Sequence, residues 1–358
     1  MPASRSPVHS THTLSEILSQ PEVWRSCFRD LFSSAAFRSI LSKSASRKEW
    51  LFVGCGTSFY LAEAAAASWT LLTGQTARAL PASEVLLFPR LAQLKAKDLQ
   101  VVLISRSGRT SEAVRAAELL SRTYNLPTLG VTCASDSDLS KACELTLVLS
   151  AADEKSMVMT RSFTSILLAL LHLAASNGDA AAFTSSFETM AASLACRISA
   201  FNDRVESFVS QHSFADYIYL GQGPLFSIAR EAALKITEMS CSFAQAYHTL
   251  EFRHGPKSIV APQTCLTFFL SESGADAEID VLVEMKELGG AIIAVCNRAT
   301  EAVRRSSDLV MELEAGVPEL FLLAPFIVPA QLLGFHTGIK KGFNPDEPKN
   351  LSRVVILD

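Results

Sequence analysis

Positive charge is in short supply in this chain: 32 Lys and Arg stand against 36 Asp and Glu, a net charge of −4. A basic surface for a nucleic-acid backbone is therefore not expected. The eight cysteines (Cys27, Cys55, Cys133, Cys143, Cys196, Cys241, Cys265, Cys296) contain no C-x-x-C pair. Several lie in apolar strand-like runs such as GVTCAS and AIIAVCN. That pattern speaks against a zinc or disulfide framework and for buried, reduced thiols in a cytoplasmic protein. Histidine spacing of the H-E-x-x-H kind is lacking too, so neither a metal nor another cofactor is expected. The opening MPASRSPVHSTHT has no apolar signal core, and no secretory peptide is expected from it. An uninterrupted run of the roughly 20 apolar residues that cross a membrane is also missing. The longest candidate, LFLLAPFIVPAQLLGF at 320–335, carries two prolines and reads as a core helix.

What is present is a chain of 358 residues, 49% apolar, enough for about two domains at roughly 150 residues each. Residues 13–45 read as helix in two pieces. Leu14, Ile17 and Leu18 form one face, Pro21 marks a break, and Trp24, Phe28 and Leu31 resume helical spacing. From 48 onward, the apolar runs EWLFVG, LQVVLIS, LPTLGVTC and ELTLVLS alternate with amphipathic segments. Such alternation predicts parallel strands with helices on both faces. Residues 160–210 read as helix broken once at SNGDA.

The second half repeats the first. FVGCGTSFYLAEAA at 52–65 matches YLGQGPLFSIAREAA at 219–233, and VVLISRSGRT at 101–110 matches TFFLSESGAD at 267–276. LGVTCAS at 129–135 matches IAVCNRA at 293–299. Two copies of one α/β unit follow, joined near 195–215. The expected division is a helical segment at 1–47, a first lobe at 48–195 and a second at 210–358.

The copies differ where ligands of open α/β sheets bind, beyond the carboxyl ends of the strands. Copy one has Gly56, Thr57 and Ser58 after its first strand, and Ser105, Arg106, Ser107 and Thr110 after its second. Hydroxyls, helix N–H groups and arginine together suit a phosphate. Copy two has Glu272 and Asp276 there, which repel one. Ordinary capping and turn formation is the competing reading of each hydroxyl taken singly. Copy two is distinguished by REAALKITEMS, whose Glu231, Lys235 and Glu238 share one helix face; the alternative there is a solvated, paired face. Glu238 lies about 20 Å along that helix from Gly223, too far to serve the loop at its own helix's start. His254, before Gly255-Pro256, can exchange protons near neutral pH, although such a histidine alone is as readily a turn residue.

Taken together, GCGTS, SRSGRTSEA, EKSMVMTRSFT, EAALKITEMS, EFRHGP and PKNLSRVVIL resemble the double sugar-isomerase (SIS) family. Its members include the isomerase half of glucosamine-6-phosphate synthase, amino-sugar-phosphate deaminases and tagatose-6-phosphate ketose/aldose isomerases, and EFRHGPKS and MVMTRSFT look closer to the last two. The resemblance implies two tandem flavodoxin-like SIS lobes. It also implies that Thr57, Ser58, Ser105, Arg106, Ser107 and Thr110 hold the phosphate of a sugar, with Thr160 bordering the substrate. By the same resemblance Glu238 is the acid/base, Glu231 and Lys235 are its helix partners, and His254 opens the sugar ring from the other subunit of a homodimer. Synthases place a lysine in the tail where this chain has Arg353, and arginine does not readily form a Schiff base. With no glutamine-hydrolysing domain before residue 48, glutamine-dependent amination is not expected. The expected activity is a metal-free aldose–ketose isomerisation or deamination of a hexose or amino-hexose 6-phosphate. Cleavage of a fructosyl-amine phosphate and ligand sensing without turnover are the alternatives.

Overall fold

The structure is a computed structural model that describes residues 12–94, 98–178 and 180–357. Most of the polar opening read for a signal core lies outside the described residues.

Two compact units divide the chain, each built on one five-stranded parallel sheet. In the first, Glu49–Gly54 (β1), Thr76–Pro81 (β2), Leu99–Ile104 (β3), Thr128–Thr132 (β4) and Leu145–Val148 (β5) take the order β2-β1-β3-β4-β5. In the second, the strands are Asp216–Gly221 (β6), Phe243–His248 (β7), Thr264–Phe269 (β8), Ala291–Cys296 (β9) and Leu309–Glu312 (β10). Their order is β10-β9-β8-β6-β7, which read from the other edge repeats the first sheet. Counted within each copy, this is the flavodoxin-like order 2-1-3-4-5. The tandem α/β lobes expected from the repeat are present.

Central strands covered on both faces need continuous apolar runs. LQVVLI in β3 and TCLTFF in β8 are buried at every position. Edge strands do not need them. TARALP in β2 and FAQAYH in β7 are only half-buried, and neither carries a run that marks it in the sequence. Helices surround both sheets; Thr57–Thr73 follows β1 and Pro224–Ser240 follows β6. The break at SNGDA separates Arg161–Ser176 from the long helix Ala180–Gln211.

The amino-terminal stretch forms three helices, His12–Leu18, Gln20–Ser33 and Ala35–Ser44, instead of two. The buried face of the first is Thr13, Glu16 and Ile17, not the Leu14–Ile17–Leu18 stripe. Polar anchoring is the reason. Glu16 accepts the Lys155 N–H at 2.5 Å, the Ser156 N–H at 3.3 Å and the Ser156 hydroxyl at 2.5 Å. Thr13 donates its N–H and its hydroxyl to Asp346, each at 2.7 Å. A buried carboxylate supplied with donors in this way is tolerated inside.

Neither unit is continuous in sequence. The β1–β5 unit takes 20–154, 161–188 and 352–357, and the β6–β10 unit takes 12–19, 155–160 and 189–351. The division differs from the three consecutive segments expected, because long-range bonds recruit short pieces. Glu16 and Asp346 hold 12–19 and 155–157 in the β6–β10 unit, where the Met157 N–H also donates to the Asp346 carbonyl. The tail joins the β1–β5 unit: Ser111 N–H donates to the Val355 carbonyl, Leu357 N–H to Ser111 Oγ, and Arg115 to the Leu357 carbonyl.

The stretch Glu319–Lys340 has the length and mean hydropathy, 1.6, of a membrane span, but 94% of its apolar window is buried inside the protein. All eight cysteines are free thiols; Cys196 and Cys241 are exposed, which corrects the expectation that the set is buried.

Candidate active site

In each sheet the chain leaves the two neighbouring central strands in opposite directions, so a crevice opens beyond their carboxyl ends. In the first unit those strands are β1 and β3, and the turns that follow them are Gly56–Ser58 and Ser105–Thr110. The structure therefore gathers Gly56, Thr57, Ser58, Ser105, Arg106, Ser107 and Thr110 at one place. Gly56 has φ +54° and ψ −126°, a backbone conformation that side chains rarely allow, and it launches helix Thr57–Thr73 with Thr57 and Ser58 in its first turn. Gly223 repeats it in the second unit, φ +55° and ψ −133°.

The second turn is shaped by its own hydroxyls. Ser105 Oγ accepts the Gly108 N–H at 3.2 Å and lies 3.2 Å from Thr110 Oγ1, and Ser107 Oγ accepts the Arg109 N–H at 3.2 Å. Gly108 has φ +62°, and a Cβ there would stand 2.2 Å from Ser137 Oγ. The equivalent turn of the second unit has the same first bond, Gly274 N–H to Ser271 Oγ at 2.9 Å. This turn holds an anion of the protein's own. The Glu319 carboxylate accepts the Glu272 N–H at 2.7 Å and the Ser273 hydroxyl at 2.6 Å. Their counterparts in the first unit are the Arg106 N–H and the Ser107 hydroxyl. Close by, Glu278 accepts the Ser271 N–H at 2.7 Å, and burial pushes its carboxyl up to about 7.

Arg106 does not lie open on its turn. Its guanidinium is buried and donates to Glu154 Oε2 at 3.5 Å, and Glu154 also accepts the Ser162 hydroxyl. Arg353 joins the same segment, donating to Asp153 Oδ1 at 3.1 Å and to the Glu154 carbonyl. The tail arginine thus sits on 153–154, the stretch that holds Arg106. Glu154, Asp153, Ser162 and Glu319 were not singled out in the sequence; a lone acidic residue two positions beyond SAA gives no signal until its distant partner is known.

The remaining candidates belong to the β6–β10 unit. Glu231, Lys235 and Glu238 share one face of Pro224–Ser240, as their spacing requires. Lys235 Nζ lies 2.5 Å from Glu238 Oε2 and 3.2 Å from Glu231 Oε1. Glu231 and Lys235 are wholly buried, and the Glu238 side chain is 17% exposed. Burial pushes the Lys235 pKa down, but the two carboxylates outweigh it and hold the ammonium protonated beyond its ordinary range. The array thus ends in one solvent-reaching carboxylate fixed by a buried cation. His254 is exposed, at the end of the short helix Glu251–Arg253, with its N–H on the Glu251 carbonyl. Gly255 beyond it has φ +118°. Thr160 is buried, its carbonyl accepting Gln331 Nε2 at 3.3 Å. Among the described residues no group of three His, Cys, Asp or Glu side chains is arranged to hold a metal ion.

The SIS domain profile matches residues 45–176 and 216–336, one stretch for each sheet. The chain belongs to the SIS domain family. A glucosamine-6-phosphate deaminase of Thermotoga maritima is 29% identical to this SIS chain, with a TM-score of 0.75 over 97% of this chain and 100% of that one. A tagatose-6-phosphate ketose/aldose isomerase of Escherichia coli shares the fold at a TM-score of 0.83 and 23% identity, over 99% and 98% of the two chains. A Streptomyces coelicolor protein named as a candidate D-galactosamine-6-phosphate deaminase, AgaS, is 27% identical over 95% of this chain and 91% of its own length. Other curated relatives are isomerizing glutamine–fructose-6-phosphate aminotransferases. Of three of these the chain spans 51%, 44% and 58%, about half their length.

Proposed function

We propose that this chain is an aldose–ketose isomerase or deaminase acting on a hexose or amino-hexose 6-phosphate. The observation that carries the reading is the contrast between the two SIS turns. One turn already holds the Glu319 carboxylate on an N–H and a serine hydroxyl. The matching turn in the first lobe, with Arg106, Ser107 and Thr110 in place of Glu272, Ser273 and Asp276, takes a phosphoryl group from outside. Thr57 and Ser58 at the neighbouring helix start add hydroxyls and N–H groups.

In this reading His254 passes a proton to the ring oxygen as the sugar opens. Glu238 then removes the proton from C2 and returns it to C1, through an enediol or, for an amino sugar, an enolamine. For the amino sugar, the resulting C2 imine takes up water and releases ammonia. One carboxylate performs both transfers on one face, and a fixed phosphate keeps the carbons within its reach. Lys235 holds Glu238 in place. Thr160 borders the sugar, and Arg353 fixes the 153–154 segment beside the phosphate turn. No step is routed through a metal or cofactor. The chain acts as a cytoplasmic homodimer in which His254 serves the partner copy's sugar.

The test is a panel of hexose and amino-hexose 6-phosphates, with and without glutamine, followed for ketose and for ammonia. Ketose alone marks an isomerase, and ammonia from an amino sugar marks a deaminase. Product formed only with glutamine would place the chain with the aminotransferases and overturn the proposal. The Glu238→Gln variant is expected to bind sugar phosphate as the unaltered chain does while turnover falls by about 10²-fold or more. Equal loss of binding would assign that helix a structural role instead.

A further inference from the structure

Arg106 and Glu272 hold the same place in the two repeats, second in SRSG and second in SESG. The turns around them close alike: the Gly108 N–H donates to Ser105 Oγ at 3.2 Å, and the Gly274 N–H to Ser271 Oγ at 2.9 Å. The second unit shows how such a turn holds an anion. Glu272 gives its N–H to the Glu319 carboxylate at 2.7 Å. Its own side chain is committed elsewhere, with Oε1 accepting Asn297 Nδ2 at 2.7 Å just beyond β9.

The side chain of Arg106 is committed in the same manner. Its guanidinium, 5% exposed, donates to Glu154 Oε2 at 3.5 Å. Cys133 stands in the aligned repeats where Asn297 does. Burial and then Glu154 raise the Cys133 thiol while Arg106 opposes them, so both charges lie close to that position. The Arg106 carbonyl is anchored there too, accepting the Cys133 N–H at 2.9 Å and the Thr132 hydroxyl at 3.0 Å. Glu154 is itself fixed. Ser162 donates to its carboxylate and Arg353 to its carbonyl, while Arg161 Nε donates to the Asp153 carbonyl at 3.1 Å. A guanidinium that left for a phosphate would break an ion pair whose carboxylate is 0% exposed.

We propose that Arg106 and Glu154 are a positioning pair: the Arg106 N–H meets the phosphate, while the guanidinium stays on Glu154 and holds the turn in shape. This role presupposes a phosphate on the first turn, as in the function proposed for the chain, and assigns Arg106 a different part in holding it. The pair as a whole is neutral. What it supplies is geometry, and the anion rests on the N–H and hydroxyl groups of the turn and of the neighbouring helix start.

Glucitol 6-phosphate, which has no carbonyl to isomerise, reports binding alone in a calorimetric titration of the full chain. Arg106→Met is expected to weaken it about ten- to hundredfold, the worth of a charge-assisted hydrogen bond. Adding Glu154→Gln to that variant is expected to recover most of the loss, because a neutral partner no longer sets a negative charge behind the turn. Equal weakening in the single and double variants would make the guanidinium a direct ligand, and full affinity in Arg106→Met would deny the pair any part; either overturns the proposal. A crystal structure of the unaltered chain with the same compound does not depend on how the variants fold. It is expected to show the phosphate on the Arg106 N–H and the guanidinium still on Glu154, and a guanidinium turned onto the phosphate overturns the pair. Absence of binding to the unaltered chain overturns the phosphate reading itself, and this role with it.

Discussion

Arg106 and Glu154 face each other inside the β1–β5 unit at 3.5 Å, with side chains 5% and 0% exposed. Removing one member breaks a buried ion pair, a loss of about 3–5 kcal/mol. Glu154→Ala is accordingly expected to lower the unfolding free energy from denaturant titration by that much, and a change under about 1 kcal/mol, on the scale of a surface pair, would contradict the burial. Glu278 makes the opposite kind of demand. Burial lifts its carboxyl from 4.5 to about 7, with the nearby Glu319 charge adding to the lift and the Ser271 bond opposing it. The folded state therefore binds the proton more tightly than the unfolded chain. Stability from that protonation is complete below pH 4.5 and drains away as pH rises through about 7. Glu278→Gln keeps an acceptor for Ser271 and removes the titration, so its Tm is expected to gain on the unaltered chain between pH 5 and pH 8. A gap that stays constant with pH would sink this assignment.

Among the elements, the central strands announce themselves through apolar runs, while β2 and β7 do not. An edge strand is wet along one side, so TARALP and FAQAYH carry neither alternation nor a run. The turns after β1 and β3 are legible because function there needs glycine and hydroxyls in a short window. Glu154 and Glu319 are not, since each acquires meaning only from a partner far along the chain. The face of His12–Leu18 departs from the apolar spacing for the same reason: Glu16 is inside because Lys155 and Ser156 bind it. His172 stacks on Phe37 at 4.8 Å, with Phe28 and Phe183 around it, and burial lowers its pKa from 6.5 to about 4. Its neutral form supports folding above pH 6.5, and that support is lost as pH falls toward 4. His172→Phe keeps the stack, so acid unfolding of the variant is expected to shift to lower pH in a circular-dichroism titration. An unchanged acid midpoint would show that another group controls it.

For the whole molecule, the proposed homodimer allows a direct assay. If Glu238 and His254 of one site come from different copies, chains carrying Glu238→Gln and chains carrying His254→Ala are each inactive alone. Equal mixing with subunit exchange is expected to restore about a quarter of full turnover, since half the dimers are mixed and each holds one intact site. No recovery after verified exchange would place both groups in one chain. The discontinuity of the two units has a different reach. Residues 352–357 bind Ser111 and Arg115, and Arg353 fastens the segment next to Arg106. A ribosome emits those residues long after Ser111 and Arg115, so the lobe begun first waits for them before its crevice is framed. Nascent chains of this protein are thus exposed, until residues 352–357 emerge, with their earliest sheet formed and its anion turn still unclasped.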